Sequence, residues 1–239
     1  MNIAIIGYGK MGHEIEKIAI SRGHNVALIV DVDNANDLCS EKMANIDVAI
    51  EFSMPTAAYG NIVKCIDFGT PVVCGTTAWL ERYDEVVALA NSKNGAFFYA
   101  SNYSIGVNLF FDINRRLAKL MNPYSQYDVT IEEVHHTQKK DAPSGTAITI
   151  AEGVLDGIER KKRWVSEPTI VPEELEVAAI RRSVVPGTHV VTWESEVDLI
   201  RIEHLAKSRQ GFALGAVVAA EFLAGKKGVY TMSDLINNA

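Results

Sequence analysis

The sequence predicts an α/β protein: a doubly wound parallel sheet over its first hundred or so residues, joined to a region of mixed α and β character. Three observations predict it. Short apolar runs alternate with stretches of helical periodicity from residue 2 to residue 100. The first run stops at Gly7-Tyr-Gly-Lys-Met-Gly12, the glycine spacing of a dinucleotide-binding turn. From about Ser104 the alternation gives way to a long amphipathic helix and then to a series of strand-like segments.

In chain order, Asn2-Ile-Ala-Ile-Ile6 reads as a strand, and Ile15, Ile18 and Ala19 mark the helix that follows the glycine turn. Gly7 and Gly9 permit a tight turn and close approach to a pyrophosphate, and Gly12 lets the helix pack on the strand. Tyr8, Lys10 and Met11 lie within the same loop. Asn25-Val-Ala-Leu-Ile-Val30 is a second strand, ending at Asp31, where an adenosine ribose presents its hydroxyls. A 2′-phosphate would meet Asp31 and Asp33 across Val32, so NADH is expected in preference to NADPH, with Lys10 as the one cation in reach of a phosphate. Asp47-Val-Ala-Ile-Glu-Phe52 is a third strand, followed by a helix through Ile62, Val63 and Ile66. Pro71-Val-Val-Cys74 leads into Gly75-Thr76-Thr77 and a helix over 80–91, and Ala96-Phe-Phe-Tyr-Ala100 is a fifth strand. Gly7, Asp31, Phe52, Gly75 and Ala100 all fall at or just after strand ends, where an open parallel sheet binds its ligand. This is the Rossmann-type arrangement.

Beyond Ser104 the spacing predicts a helix from Val107 to Met121, with Leu109, Phe110, Ile113, Leu117 and Leu120 on one side. Tyr127-Asp-Val-Thr-Ile131 reads as a strand, and a helix is expected over 144–160. Glu159-Arg-Lys-Lys-Arg163 reads as a solvated helix end, and the polar stretch to Glu176 carries no assignment. Segments 177–185, 189–194 and 198–203 read as strands of a mixed or antiparallel sheet, turned at Pro186-Gly187. Trp193, Val191 and Ile200 are expected on a face that needs covering, which favours self-association. The apolar helix Phe212–Ala224 is too short and too interrupted by glycine to span a bilayer.

The chemistry concentrates in residues 132–147. Two imidazoles, His135 and His136, end a strand and point to opposite faces. Lys139 and Lys140 follow, and Ser144-Gly145-Thr146 opens a helix whose free N–H groups form an anion site. This set suits a small substrate bearing carboxylates. No metal is expected, because His135, His136 and Glu133 lack zinc-site spacing and no cysteine lies nearby.

The string Glu132-Glu-Val-His-His-Thr-Gln-Lys-Lys-Asp-Ala-Pro-Ser-Gly-Thr-Ala147 resembles the signature of the dihydrodipicolinate reductase family. Gly75-Thr76-Thr77 and Ala100-Ser101-Asn102-Tyr103, continuing to Asn108, resemble two further motifs of that family, and their order along the chain also matches. The glycine loop departs from it, being shorter than the glycine-rich form many members carry. The resemblance implies residues 1–103 plus 210–239 as dinucleotide-binding domain, and an inserted α+β substrate-binding and oligomerisation domain over 104–209. It implies hinges near Tyr103-Ser104 and Arg209-Gln210, and a homotetramer joined through the inserted domain. It implies an oxidoreductase reducing a cyclic imine dicarboxylate to tetrahydrodipicolinate for lysine and diaminopimelate synthesis, with NADH or NADPH as cofactor. The Gly75–Thr77 and Ala100–Tyr103 stretches then line the nicotinamide and its ribose. Lys139 is the implied proton donor, His135 its acid/base or orienting partner, and His136, Ser144, Gly145 and Thr146 the holders of the carboxylates.

At 239 residues and 48% apolar, the chain can bury a full core. A net charge of −7 without an extended basic run argues against nucleic acid. Ile3-Ala-Ile-Ile6 is too short for a signal peptide or a span, and Cys39, Cys65 and Cys74 form no Cys-x-x-Cys pair, so a cytoplasmic protein with reduced thiols is expected. Two other readings stand beside the reductase: another two-domain NAD-dependent dehydrogenase, and a non-catalytic NAD-binding regulator. The joint presence of His135, His136, Lys139 and Ser144-Gly145-Thr146 weighs against the regulator, which needs none of them.

Overall fold

The computed structural model describes residues 1–182, 185–208 and 210–238. It divides into two compact units, Met1–Ile105 with Gln210–Ala239, and Gly106–Arg209.

The first unit runs β1 (Asn2–Ile6), α1 (Lys10–Ser21), β2 (Asn25–Val30), a 3₁₀ segment (Val32–Asp37), α2 (Ser40–Met43), β3 (Val48–Glu51), α3 (Pro55–Asp67), β4 (Val72–Cys74), α4 (Tyr83–Ser92) and β5 (Ala96–Tyr99). All its strand pairs are parallel. The inner strands are mostly buried and largely apolar, and alternate side chains of β1 enter different cores. Ile3 and Ile5 join one cluster with Ile15 and Ala19 of α1, whereas Ala4 and Ile6 join another with Ile62 and Ile66 of α3.

In the second unit α5 (Ile105–Met121) leads to β6 (Asp128–His135), α6 (Gly145–Leu155), β7 (Arg163–Val165), β8 (Glu174–Arg181), β9 (Thr188–Glu194) and β10 (Leu199–Leu205). The sheet order is β10-β9-β6-β8-β7, antiparallel on one side of β6 and parallel on the other. Ala147, Ile150, Ala151 and Val154 of α6 share a core with Val129, Ile131, Val177, Val191 and Trp193 of the sheet. The chain then returns to the first unit with α7 (Gln210–Leu223), β11 (Gly228–Tyr230) and α8 (Met232–Asn237). The first sheet has the order β11-β5-β4-β3-β1-β2, so β11 is an edge strand that the sequence pattern did not show. Gly215 lets α7 dock, since a Cβ there would lie 1.7 Å from the Tyr103 carbonyl oxygen.

Several expectations need correction. Trp193 and Val191 are fully buried beneath the chain's own helices, so they give no reason for a covering partner, and Ile200 alone of the three is exposed. The buried stripe of α5 is Val107, Phe110, Asn114, Ala118 and Met121, leaving Leu109, Ile113 and Leu120 exposed. Close packing selects that stripe: a Cβ on Gly157 would come within 2.5 Å of the Ala118 Cβ, and Asn114 donates to the Ile150 carbonyl at 2.9 Å. Helix α6 ends at Leu155, five residues short of the expected 160. The strand expected over 198–203 runs Leu199–Leu205, and the strand expected over 177–185 ends at Arg181, with Ser183 and Val184 outside the described residues, as is Arg209 of the expected hinge.

The patch Glu159–Arg163 is no solvated helix end. Arg160 donates to the carbonyls of Met121, Asn122 and Tyr127, and Arg163 opens β7. The Lys161 side chain is buried, its ammonium 2.6 Å from Asp128 and 2.7 Å from the Glu174 carbonyl. Lys161→Met removes this donor from a buried acceptor and is expected to lower stability by about 1–3 kcal/mol in urea unfolding. Lys162→Met, at an exposed position, is expected to change stability by less than about 0.5 kcal/mol.

Candidate active site

Close packing dictates the glycine loop of the first unit. Gly7 has φ +92°, and a Cβ on it would lie 2.2 Å from the Phe52 carbonyl oxygen. A Cβ on Gly12 would lie 2.4 Å from the Gly7 carbonyl oxygen, whereas Gly9 faces open space. Gly9 is the N-cap of α1 and offers no side-chain cap, so the helix starts with N–H donors that an anion can take. Tyr8 turns its hydroxyl to Glu16 and packs its ring 4.0 Å from His13, Lys10 is exposed, and Met11 packs against the core.

A cavity of about 460 Å³ opens beside this loop, walled by Gly7, Gly9, Asp31, Val32, Phe52 and Met54. A dinucleotide fits it: a flat apolar wall suits an adenine, an acidic residue stands at the ribose position, and a helix start stands at the pyrophosphate position. Asp31 also forms a capping box with Asn34, which fixes its backbone. Gly75 lies against the Phe52 ring, Thr76 is buried and accepts from the Ser53 N–H at 2.9 Å, and Thr77 is exposed. Ala100 is buried and Ser101 exposed, and the Asn102 side chain accepts from the Ser104 N–H. Tyr103 is a core residue; its hydroxyl donates to the Cys74 carbonyl at 2.7 Å, and burial pushes its phenol well above the ordinary range. Beneath these loops lies Glu51, fully buried and met by Ser53, Asn61 and the Cys74 thiol.

In the second unit β6 alternates, sending Val129, Ile131, Glu133 and His135 to the covered face. Glu133 accepts from the Ser144 N–H at 3.0 Å, from the Ser144 hydroxyl, and from Arg181 at 3.0 Å. Its Oε2 lies 3.3 Å from His135 Nδ1 and 3.6 Å from His189 Nε2. Burial alone would raise the Glu133 carboxyl, but donors from His189, Ser144 and Arg181 outweigh it and hold the group down at about 2. Burial pushes the His135 imidazole down to about 4; Glu133 opposes this, while His189, Lys139 and Arg181 add to it. His135 is therefore neutral at pH 7. Ser144 caps α6 by accepting from the Ala147 N–H, so its own groups are engaged inside, and Gly145 stands exposed and Thr146 half-buried on the first turn.

The structure thus gathers His135 and Ser144 into one cluster with three residues sequence reasoning did not assign: Glu133, Arg181 and His189. The first had a visible signal, a carboxylate in step with Val129, Ile131 and His135 on an apolar face. The other two arrive through pairing of β6 with β8 and β9, which sets Arg181 opposite His135 and His189 opposite Glu133. Lys139 is not ringed by cations alone, because its ammonium pairs with Asp141 at 2.9 Å and holds that carboxyl low. His136 is half-buried and Lys140 exposed. Strand pairing also gathers a donor set that spacing did not show: donor atoms of Glu133, His135 and His189 lie within 4.8 Å of one another. Arg181 and Ser144 already occupy that carboxylate, so the group stands as a hydrogen-bonded cluster.

A Rossmann-type dinucleotide-binding unit joined to a unit with a buried acid–base cluster defines a nicotinamide-dependent oxidoreductase. Residues 1–103 match the family model for the N-terminus of dihydrodipicolinate reductase, and residues 106–236 match that for its C-terminus. The chain is 48% identical over 238 residues to a 4-hydroxy-tetrahydrodipicolinate reductase of Christiangramia forsetii, covering 100% of this chain and 98% of that one. It is 33% identical to the protein of the same name from Thermosipho africanus, over 100% and 99% of the two chains. A dipicolinate-bound dihydrodipicolinate reductase from Paenisporosarcina sp. TG-14 shares the fold, with TM-score 0.77, 22% identity and coverage of 98% and 99%. The chain belongs to the dihydrodipicolinate reductase family.

Below pH 6.5 the unfolded chain binds a proton at His135 that the folded chain refuses, so this stability is complete above pH 6.5 and is lost as pH falls through 4. Glu133, depressed from 4.5 to about 2, adds a second loss across that lower interval. Urea unfolding is expected to show roughly 3–4 kcal/mol less stability at pH 4 than at pH 7 from these groups, and His135→Asn is expected to flatten the upper part of that slope.

Proposed function

We propose that the chain works as a 4-hydroxy-tetrahydrodipicolinate reductase, reducing a cyclic imine dicarboxylate to tetrahydrodipicolinate in lysine and diaminopimelate synthesis. The observation that carries this is the pair of family matches, which together span both units, at 48% identity to a relative of that name along the whole chain. When bound, the reduced nicotinamide supplies the hydride.

The chain's own residues bind, orient and move a proton. Gly7, Gly9 and Lys10 take the pyrophosphate at the start of α1, with Gly12 letting that helix pack close and Tyr8 and Met11 in the same loop, and Asp31 takes the ribose hydroxyls. Gly75, Thr76, Thr77, Ala100, Ser101 and Asn102 line the nicotinamide end, with Tyr103 holding that wall from the core. His136 and the N–H and hydroxyl groups of Gly145 and Thr146 hold the carboxylates. Ser144, engaged by Glu133, sets where those groups point. Lys139 Nζ gives the proton that quenches the negative charge left by hydride attack, and neutral His135 serves as its acid/base or orienting partner. NADH is the preferred cofactor, because Asp31 and Asp33 flank the exposed Val32 and repel a 2′-phosphate. The chain assembles as a homotetramer in the cytoplasm; exposed Leu199 and Leu205 on edge strand β10 and three free cysteines support this.

The decisive experiment follows NADH absorbance with substrate generated in place from pyruvate and aspartate semialdehyde by the preceding enzyme. Oxidation that requires that enzyme is expected; a flat trace despite NADH binding overturns the reading. Lys139→Ala is expected to lower kcat by roughly 10²–10⁴-fold while NADH binding persists. The kcat/KM for NADH is expected to exceed that for NADPH, and light scattering is expected to give four chains per particle.

A further inference from the structure

Glu133 is fully buried, and no step above uses it directly. A carboxylate in such a place is costly unless donors surround it, and here they do. Oε1 accepts from the Ser144 N–H and from Arg181, and Oε2 accepts from the Ser144 hydroxyl. What these contacts fix is informative. Ser144 is the N-cap of α6, so a carboxylate that grips both its N–H and its hydroxyl sets where the helix begins. The orientation of Gly145 and Thr146 on the first turn follows from it.

The second contact is to His135. Its Nδ1 lies 3.3 Å from Oε2 without meeting full hydrogen-bond geometry, so the coupling is chiefly electrostatic. A lone pair on Nδ1 would face an anion, whereas a proton on Nδ1 would be attracted to it. At the ring's other nitrogen a Cβ at Gly187 would lie 3.0 Å from Nε2, so the glycine adds no side chain against it. His189 stands edge-on to His135 with centroids 5.1 Å apart and aims its Nε2 at the Ser144 hydroxyl, 3.3 Å away.

We propose that Glu133 is a positioning residue: it holds His135 in the Nδ1–H tautomer, leaving Nε2 as the nitrogen that exchanges a proton, and it pins the start of α6 that receives a substrate carboxylate. Arg181 and His189 hold this carboxylate in place. The inference rests on the reading of His135 as acid/base partner and of α6 as carboxylate site.

The test uses the full chain labelled with nitrogen-15 histidine, His135 being assigned by its loss in His135→Asn. In the wild type His135 is expected to show protonated Nδ1 and bare Nε2. Glu133→Gln, equal in size and without charge, is expected to lose that pure tautomer, to lower kcat by about 10²-fold and to raise KM for the dicarboxylate, with NADH affinity unchanged. Glu133→Asp is expected to recover part of kcat. An Nε2–H tautomer in the wild type, or a Glu133→Gln enzyme with unchanged tautomer and kcat, overturns the proposal. Should Glu133→Gln not fold, the wild-type tautomer still decides, and His189→Gln supplies the kinetic arm with the same expected loss of kcat; unchanged kcat there counts against it. An Nδ1–H tautomer in a protein that leaves the dicarboxylate unreduced overturns the reductase reading and leaves the tautomer assignment standing.

Discussion

Each unit buries a carboxylate toward the far end of a strand, and the donors that such a group demands organise the loop around it. An ionised carboxylate taken from water costs several kcal/mol unless hydrogen bonds replace its hydration. Glu51 on β3 meets this with neutral donors: the Ser53 N–H and hydroxyl, the Asn61 amide and the Cys74 thiol. Because the Ser53 N–H also reaches Thr76, the ends of β3 and β4 are tied together where the nucleotide cavity opens. Glu133 on β6 uses the same serine pairing, N–H and hydroxyl of Ser144, and adds the cation Arg181. In both places a buried carboxyl group met by donors keeps the adjoining loop in one arrangement.

Steric limits complement this electrostatic one. Phe52 presents its carbonyl to Gly7 and its ring to Gly75, so two loops that follow different strands close on one residue, and a methyl group at either glycine would collide with it. Gly12 does the same for α1 against the turn that precedes it. The glycine spacing read as a dinucleotide fingerprint is thus a record of two close approaches, Gly12 on Gly7 within the loop and Gly7 on Phe52 across the sheet. Gly9 is the exception, facing open space, which suits a position where the partner is a phosphate rather than protein.

What the sequence revealed and what it hid follow from the range of the interactions. The first five parallel strands and their helices were legible, because local periodicity and turn residues set them. The edge strand β11 escaped because three residues, Gly228–Tyr230, carry no usable period and depend on pairing with β5. The α5 stripe was misplaced because its contacts are chosen by small groups, Ala118 and Gly157, rather than by the largest apolar side chains. Arg160 and Lys161 looked solvated because composition cannot show which carbonyls and carboxylates the fold brings to them. In the site, residues 132–147 announced themselves by density of function, while Arg181 and His189 needed the register of β8 and β9 on β6 to appear.

Two ion pairs of the second unit, Glu133 with Arg181 and Lys139 with Asp141, differ in burial, and that difference divides their work. Glu133 and Arg181 meet where the carboxylate has no exposure and the Arg181 side chain 19%; separating them would strand a buried charge, so this pair is fixed. Lys139 and Asp141 meet on a loop where the Asp141 side chain is 58% exposed, and such a pair contributes about 1 kcal/mol or less. Water or another anion can replace Asp141 at little cost. An anion therefore replaces Asp141 at Lys139 more easily than Glu133 at Arg181, so the Lys139 ammonium can change partners while the Glu133 cluster stays fixed. At a net charge of −7 the overall field repels anions, so an exchangeable ammonium and the N–H donors at the start of α6 are features that favour one locally.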